Sequence, residues 1–115
     1  MEGLNLVTQN DPKNPAAEAY RVIRTSIQFA QAGKELKTIA ITSCTPNEGK
    51  SMTIANLAIV LTQAGKSVLI MDCDMRNPTV HKNFNLSNKV GLSSCISMGT
   101  AVADAVQETG IEGLD

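Results

Sequence analysis

The chain has 115 residues, 43% of them hydrophobic and 18% charged, with a formal net charge of -1. That length suits one small domain and is too short for two, and the composition is that of a globular chain, not a disordered one. No basic excess advertises nucleic acid or an anionic membrane surface, so a nucleic-acid partner is not expected.

Cys44, Cys73 and Cys95 are odd in number and form no CxxC pair, which argues for reduced thiols and against a disulfide framework or a zinc site. The N-terminus lacks the basic start and apolar run of a signal peptide. No apolar stretch approaches the about 18 residues that a membrane helix needs. A soluble intracellular chain is therefore expected.

Residues 1–15 hold two prolines and three asparagines with little periodicity, which predicts an extended or mobile lead-in. From residue 16 to residue 30, "AAEAYRVIRTSIQFA" has helical spacing, with Ala19, Ile23, Ile27 and Ala30 on one apolar face. Glu18, Arg21 and Arg24 recur every three residues, opposite much of that face. A solvated charged face explains this stripe, and so does a subunit contact in which the arginines reach a neighbour's acidic site.

Residues 38–43, "TIAITS", are short and rich in β-branched side chains, as a buried strand should be. The loop of residues 44–49 follows. Ile54, Leu57, Ala58, Leu61 and Ala64 then repeat at helical spacing up to Gly65, which sits where a C-cap belongs. Residues 67–72, "SVLIMD", predict a second buried strand. Together these form one βαβ unit, whose crossover should be right-handed. Beyond Asp74, "MRNPTVHKNFNLSNKVG" reads as a loop, and a weaker helical pattern runs from residue 100 to residue 107. The lone histidine, His81, reads as a surface or structural residue, and Met52, Met71, Met75 and Met98 as packing. Two parallel strands cannot cover their own faces and edges. Either partner chains complete this sheet or the sequence is the front part of a longer α/β domain, and the second is the expectation.

The stretch "TSCTPNEGKSMT" carries the first chemical signal. Its end, Gly49-Lys50-Ser51, is that of a phosphate-binding loop, although Cys44 stands where the general pattern has its first glycine. Lys50 offers a point charge to the β and γ phosphates, and the Ser51 hydroxyl can ligate magnesium. Backbone N–H groups at the helix start face the phosphates. Gly49 permits close approach, Pro46 stiffens the loop, and Asn47 tolerates the positive φ that such loops use. The nucleotide-contacting set is Pro46, Asn47, Glu48, Gly49, Lys50, Ser51 and Met52. The bland alternative is a strand-turn-helix junction with a surface lysine.

The second signal is "VLIMDCDMRNP", where Asp72 ends a strand and Asp74 lies two residues on. Both carboxylates can project toward one side, at the carboxyl edge where open α/β sheets bind ligands. There they could hold the metal and accept a proton from an incoming hydroxyl. Two acids capping a strand end, with Arg76 as an ion-pair partner, are the structural alternative.

The segments "EAYRVIRTSI", "TSCTPNEGKSMTIANLA", "AGKSVLIMDCDMRNPTVHKNF" and "GLSSCI" together resemble the bacterial tyrosine kinase family of capsular and extracellular polysaccharide export. The resemblance spans roughly residues 16–115. It implies a P-loop three-layer α/β domain with a mostly parallel sheet, of which this chain is the N-terminal part. It also implies ATP and Mg2+ as cofactors and phosphoryl transfer to tyrosine. In that family the first loop glycine is commonly absent, so Cys44 is no departure, while Asn47 is a mild one. Asp72, Asp74 and Arg76 match its Asp-x-Asp-x-Arg motif, which implies that Asp72 and Asp74 serve magnesium and activate the acceptor tyrosine. Lys50, Asp72 and Asp74 are then the catalytic set, and Ser51, Asp72 and Asp74 the metal set. Glu18, Arg21 and Arg24 match the motif that packs subunits into a ring. The implied partners are tyrosine-containing proteins, further copies of the chain and a transmembrane activator or polysaccharide co-polymerase. Location would be cytoplasmic, at the inner face of the plasma membrane.

Under that resemblance the Walker B aspartate and the phosphorylated tyrosine cluster fall past Asp115, and Tyr20 is the sole tyrosine present. These residues alone are expected to be inactive or impaired. Two other readings compete. One is a partitioning- or division-site ATPase, whose signature lysine would stand at Thr45. The other is a non-catalytic chain that binds nucleotide or associates through the Glu18, Arg21 and Arg24 helix.

Overall fold

The computed structural model describes residues 6–31, 33–44 and 49–115. Its first element, α1 (Val7–Asn10), is a single helical turn in which Thr8 is fully buried. Thr8 donates from both N–H and hydroxyl to the Asn56 side-chain oxygen, at 3.1 and 2.8 Å. The mobile lead-in expected over residues 1–15 is thus corrected from residue 6 onward. The anchor is a partner 48 residues away, which local composition does not reveal.

Helix α2 (Pro15–Ala30) starts where Asn14 caps it, its side-chain oxygen accepting from the Ala16 N–H at 2.9 Å. Pro15 occupies the first helical position, where its missing N–H costs nothing. The helix lies against α3 (Lys50–Gln63), with α1 touching both. The inward face of α2 is not the expected one. Ala17 is buried and Tyr20, Arg21, Arg24 and Ile27 are half-buried, whereas Ala19, Ile23 and Ala30 are exposed. The reason is Arg24, whose guanidinium donates to the Val60 carbonyl of α3 at 2.6 Å and draws its own stripe inward. Val22, Ile23 and Phe29 are left on the surface, Phe29 at 82% exposure.

Helix α3 is buried on every side from Ala55 to Val60, as an apolar helix at the centre of a domain should be. It ends as expected at Gly65, whose φ of +85° no β-carbon residue adopts cheaply. There the Gly65 N–H bonds Thr62 O and the Lys66 N–H bonds Leu61 O, a Schellman closure.

After α3 the chain runs extended. Val68 makes a parallel bridge to Leu114, with Val68 N–H to Gly113 O at 2.8 Å and Ile70 N–H to Asp115 O at 2.9 Å. Ala58, Ile59 and Leu114 form the core here, with Leu6, Val68, Ile70, Phe84 and Ile111 packed around them. Val68 and Ile70 turn inward while Leu69 and Met71 are 51% and 58% exposed. The expected pair of buried strands is corrected accordingly. Among the described residues, residues 38–43 make no ladder, and residues 67–72 pair only through this bridge. A strand exists only where a neighbour supplies the hydrogen bonds, and the two expected strands do not supply them to each other.

The long loop after Asp74 contains two elements that periodicity missed. These are α4 (Val80–Asn83), packed on α3, and α5 (Leu92–Met98), where the Gly91 N–H is met by the Ser94 hydroxyl at 3.2 Å. The weak pattern over residues 100–107 becomes one turn, α6 (Val102–Ala105).

Candidate active site

The site is built where α3 begins. Gly49, the N-cap, takes a φ of 80° and accepts the first helical bond from the Thr53 N–H at 2.9 Å. Among the described residues no side chain caps this turn and no acidic residue lies in it. Its N–H groups are therefore open to an anion, in the positive field of the helix end. Lys50 is the first helical residue and is half-buried. Among the described residues no hydrogen bond or ion pair engages its ammonium group. This lysine and the uncapped turn suit a polyphosphate. Pro46, Asn47 and Glu48 lie outside the described residues, as does Thr45.

Asp72 is half-buried, and its carboxylate organises the loop that follows it. One oxygen accepts from the Asp74 N–H at 3.0 Å, and the other from the N–H groups of Thr79 and Val80, both at 3.2 Å. The second pair caps the start of α4. Asp74 is exposed and one of its oxygens accepts from the Asn77 N–H at 3.1 Å. Among the described residues neither carboxylate pairs with Arg76, which is exposed.

Thr79 joins the two halves. Its hydroxyl hydrogen-bonds the Ser51 hydroxyl, while its N–H holds Asp72. One turn on, the Asn83 amide donates to the Ser51 carbonyl at 3.0 Å. The structure therefore brings Ser51 and Asp72 into one polar cluster with the helix start that Lys50 opens. Asp74 stands on the same loop, solvent-facing. Met52 lies in the first turn of α3, and its carbonyl accepts from Asn56 at 3.0 Å. Thr79 and Asn83 were not anticipated. Threonine just after Pro78 and before a short helical run is a cap signal, hidden by the loop composition around it. Beyond the carboxylates lies a cleft of about 270 Å³ whose apolar walls include Met75 and Phe84, with His81 on its edge. Among the described residues no three His, Cys, Asp or Glu side chains cluster as a self-sufficient metal site. Magnesium commonly needs only one or two carboxylates besides phosphate and water.

Glu18, Arg21 and Arg24 lie apart from this cluster, on α2. Arg21 pairs with Glu18 at 3.0 Å and also donates to the Pro12 carbonyl at 2.8 Å. Glu18 and Arg21 thus form the modest exposed pair that a solvated face allows, while Arg24 is turned inward to Val60.

A helix that starts uncapped behind a phosphate-loop lysine, with a strand-end carboxylate tied to its first turn, is the arrangement of a P-loop nucleotide-binding domain. Residues 39–111, well over half of the chain, match the family described as CobQ/CobB/MinD/ParA nucleotide binding domain (CbiA), and the chain belongs to that family. It is 46% identical over 111 residues to tyrosine-protein kinase YwqD of Bacillus subtilis (strain 168), covering 96% of this chain and 47% of that protein. It is 42% identical to the putative tyrosine-protein kinase CapB of Staphylococcus aureus, over 96% of this chain and 48% of that protein. Among solved structures, the kinase domain of the Escherichia coli tyrosine kinase ETK superposes with a TM-score of 0.90 at 32% identity, covering all of this chain and 45% of that one. The chain thus spans about half the length of the curated relatives it matches. The expected P-loop fold and the resemblance to bacterial tyrosine kinases are borne out. No helix among the described residues is long and apolar enough to cross a membrane.

Proposed function

We propose that the chain is the nucleotide-binding part of an ATP-dependent protein-tyrosine kinase that acts in capsular or extracellular polysaccharide synthesis. The observation that supports this most is the Ser51–Thr79–Asp72 cluster, which sets an acidic strand end against the phosphate-loop helix. Lys50 and the N–H groups of α3 would hold the phosphates, and Ser51 and Asp72 the magnesium ion. Bound magnesium would supply charge neutralisation on the phosphates. The two carboxylates then divide the work by exposure. Asp72 is fixed by three N–H donors beside Ser51 and serves the cation. Among the described residues no donor meets the second oxygen of Asp74, which faces solvent and can take the proton from an incoming tyrosine hydroxyl.

Further copies of the chain would meet at the α2 surface, where Val22 and Phe29 lie exposed beside the Glu18–Arg21 pair. A membrane-spanning activator would place the kinase at the inner face of the plasma membrane. The family description also names MinD and ParA, so an ATPase of the partitioning type is the competing reading. Threonine at position 45, where those enzymes carry their signature lysine, disfavours it.

A phosphotransfer assay with γ-labelled ATP on the full-length protein separates the readings. Labelled tyrosine is expected, and Asp72→Ala is expected to lose transfer by about 100-fold while losing nucleotide affinity far less. ATP hydrolysis without any labelled tyrosine would sink the kinase reading.

A further inference from the structure

The contact between Ser51 and Thr79 has a direction that chemistry can assign. Each hydroxyl carries one proton and two lone pairs. If Thr79 donates, a Ser51 lone pair is spent on it. If Ser51 donates, both of its lone pairs stay open to a cation. A divalent ion at Ser51 therefore favours Thr79 as acceptor, and the Thr79 oxygen becomes the place where the Ser51 proton goes.

Thr79 is well held for this purpose. Its own N–H is bound to Asp72, so the hydroxyl that meets Ser51 and the group that fixes the carboxylate belong to one residue. Four residues on, Asn83 binds the Ser51 carbonyl. Ser51 is thereby gripped at its side chain and its main chain by the two ends of α4, and α4 packs on α3.

Resting on the nucleotide reading above, we infer that Thr79 is a positioning residue: it orients the Ser51 hydroxyl toward the divalent cation that accompanies the nucleotide and keeps it in register with Asp72. It acts through Ser51 and Asp72 and does not itself touch the phosphates. Removing the hydroxyl leaves the N–H to Asp72 in place, so the loop keeps its path while the serine loses its orientation.

The test compares binding of a fluorescent ADP to the full-length protein in excess Mg2+ and in EDTA. Thr79→Val is expected to bind within about twofold of the parent in EDTA and to lose about tenfold of the gain that Mg2+ confers, the size of one hydrogen bond. Thr79→Ser is expected to restore the gain, and Thr79→Ala to repeat the valine result should valine pack poorly. Full retention of the Mg2+ gain in both Thr79→Val and Thr79→Ala overturns the inference. So does an equal loss with and without Mg2+, which marks a merely structural residue. A serine variant that fails to restore the gain also overturns it. A parent protein that binds ADP equally well in Mg2+ and in EDTA also overturns the inference, whereas a parent that binds no ADP in either condition overturns the nucleotide reading beneath it.

Discussion

Asn56 sits at 1% exposure in the middle of an apolar helix, and both ends of its amide are committed. Its oxygen receives the N–H and hydroxyl of Thr8, and its nitrogen reaches the Met52 carbonyl one turn back. Burial of this kind is stable only while complete, because stranded donors cost more than the bonds gain. Asn56→Leu, similar in size, is expected to lower stability by about 2–4 kcal/mol in urea unfolding, since it leaves the Thr8 N–H without its acceptor and the Thr8 hydroxyl with only the 3.4 Å contact to the residue-56 main-chain carbonyl. Restoring much of the loss with Thr8→Val in the same chain would confirm the coupling. A stability change within about 0.5 kcal/mol would show that Thr8 is not anchored there. At this scale the sequence was legible where chemistry is local. The Gly49-Lys50-Ser51 run and the Asp72–Asp74 pair were visible because a phosphate loop and a strand-end acid each declare themselves within a few residues. Thr8, Thr79 and Asn83 were not, because each one's role depends on a residue distant in the chain.

Helices show the same division. The Gly65 stop of α3 needs only a backbone conformation that glycine supplies, and it was legible. The orientation of α2 was not, because the acceptor of Arg24 is a carbonyl on another helix. A face count by hydrophobicity ranks Ile23 inward and Arg24 outward, and one charge-assisted bond reverses the order. Two of the residues expected to join subunits, Arg21 and Arg24, therefore also join α2 to other parts of the chain. Arg24→Ala is expected to lower stability by roughly 1–2 kcal/mol in thermal or urea unfolding, as loss of a charged donor to a buried carbonyl should. Glu18→Ala, which breaks an exposed pair, is expected to cost under about 0.5 kcal/mol. Phe29→Ser removes an 82% exposed ring and is expected to leave stability unchanged while weakening self-association by sedimentation velocity. Unchanged association would move the subunit contact off this face.

Across the whole molecule, the strands were the least legible feature, and the cause is physical. Residues 38–43 have the composition of a strand, but pairing is a property of two segments. Here, among the described residues, only residues 113–115 pair with Val68 and Ile70, and Leu69 and Met71 are exposed. The described part of the site is tied instead by hydrogen bonds among α3, α4 and the loop between Asp72 and Thr79. Calorimetric titration of MgATP into the full-length protein and its Lys50→Ala variant tests most directly whether that cluster is a nucleotide cradle. Saturable one-site binding is expected in the parent, with a loss of about 100-fold or more on removing the lysine charge from the phosphates. Equal affinity in the two proteins, or no binding in the parent, would contradict it.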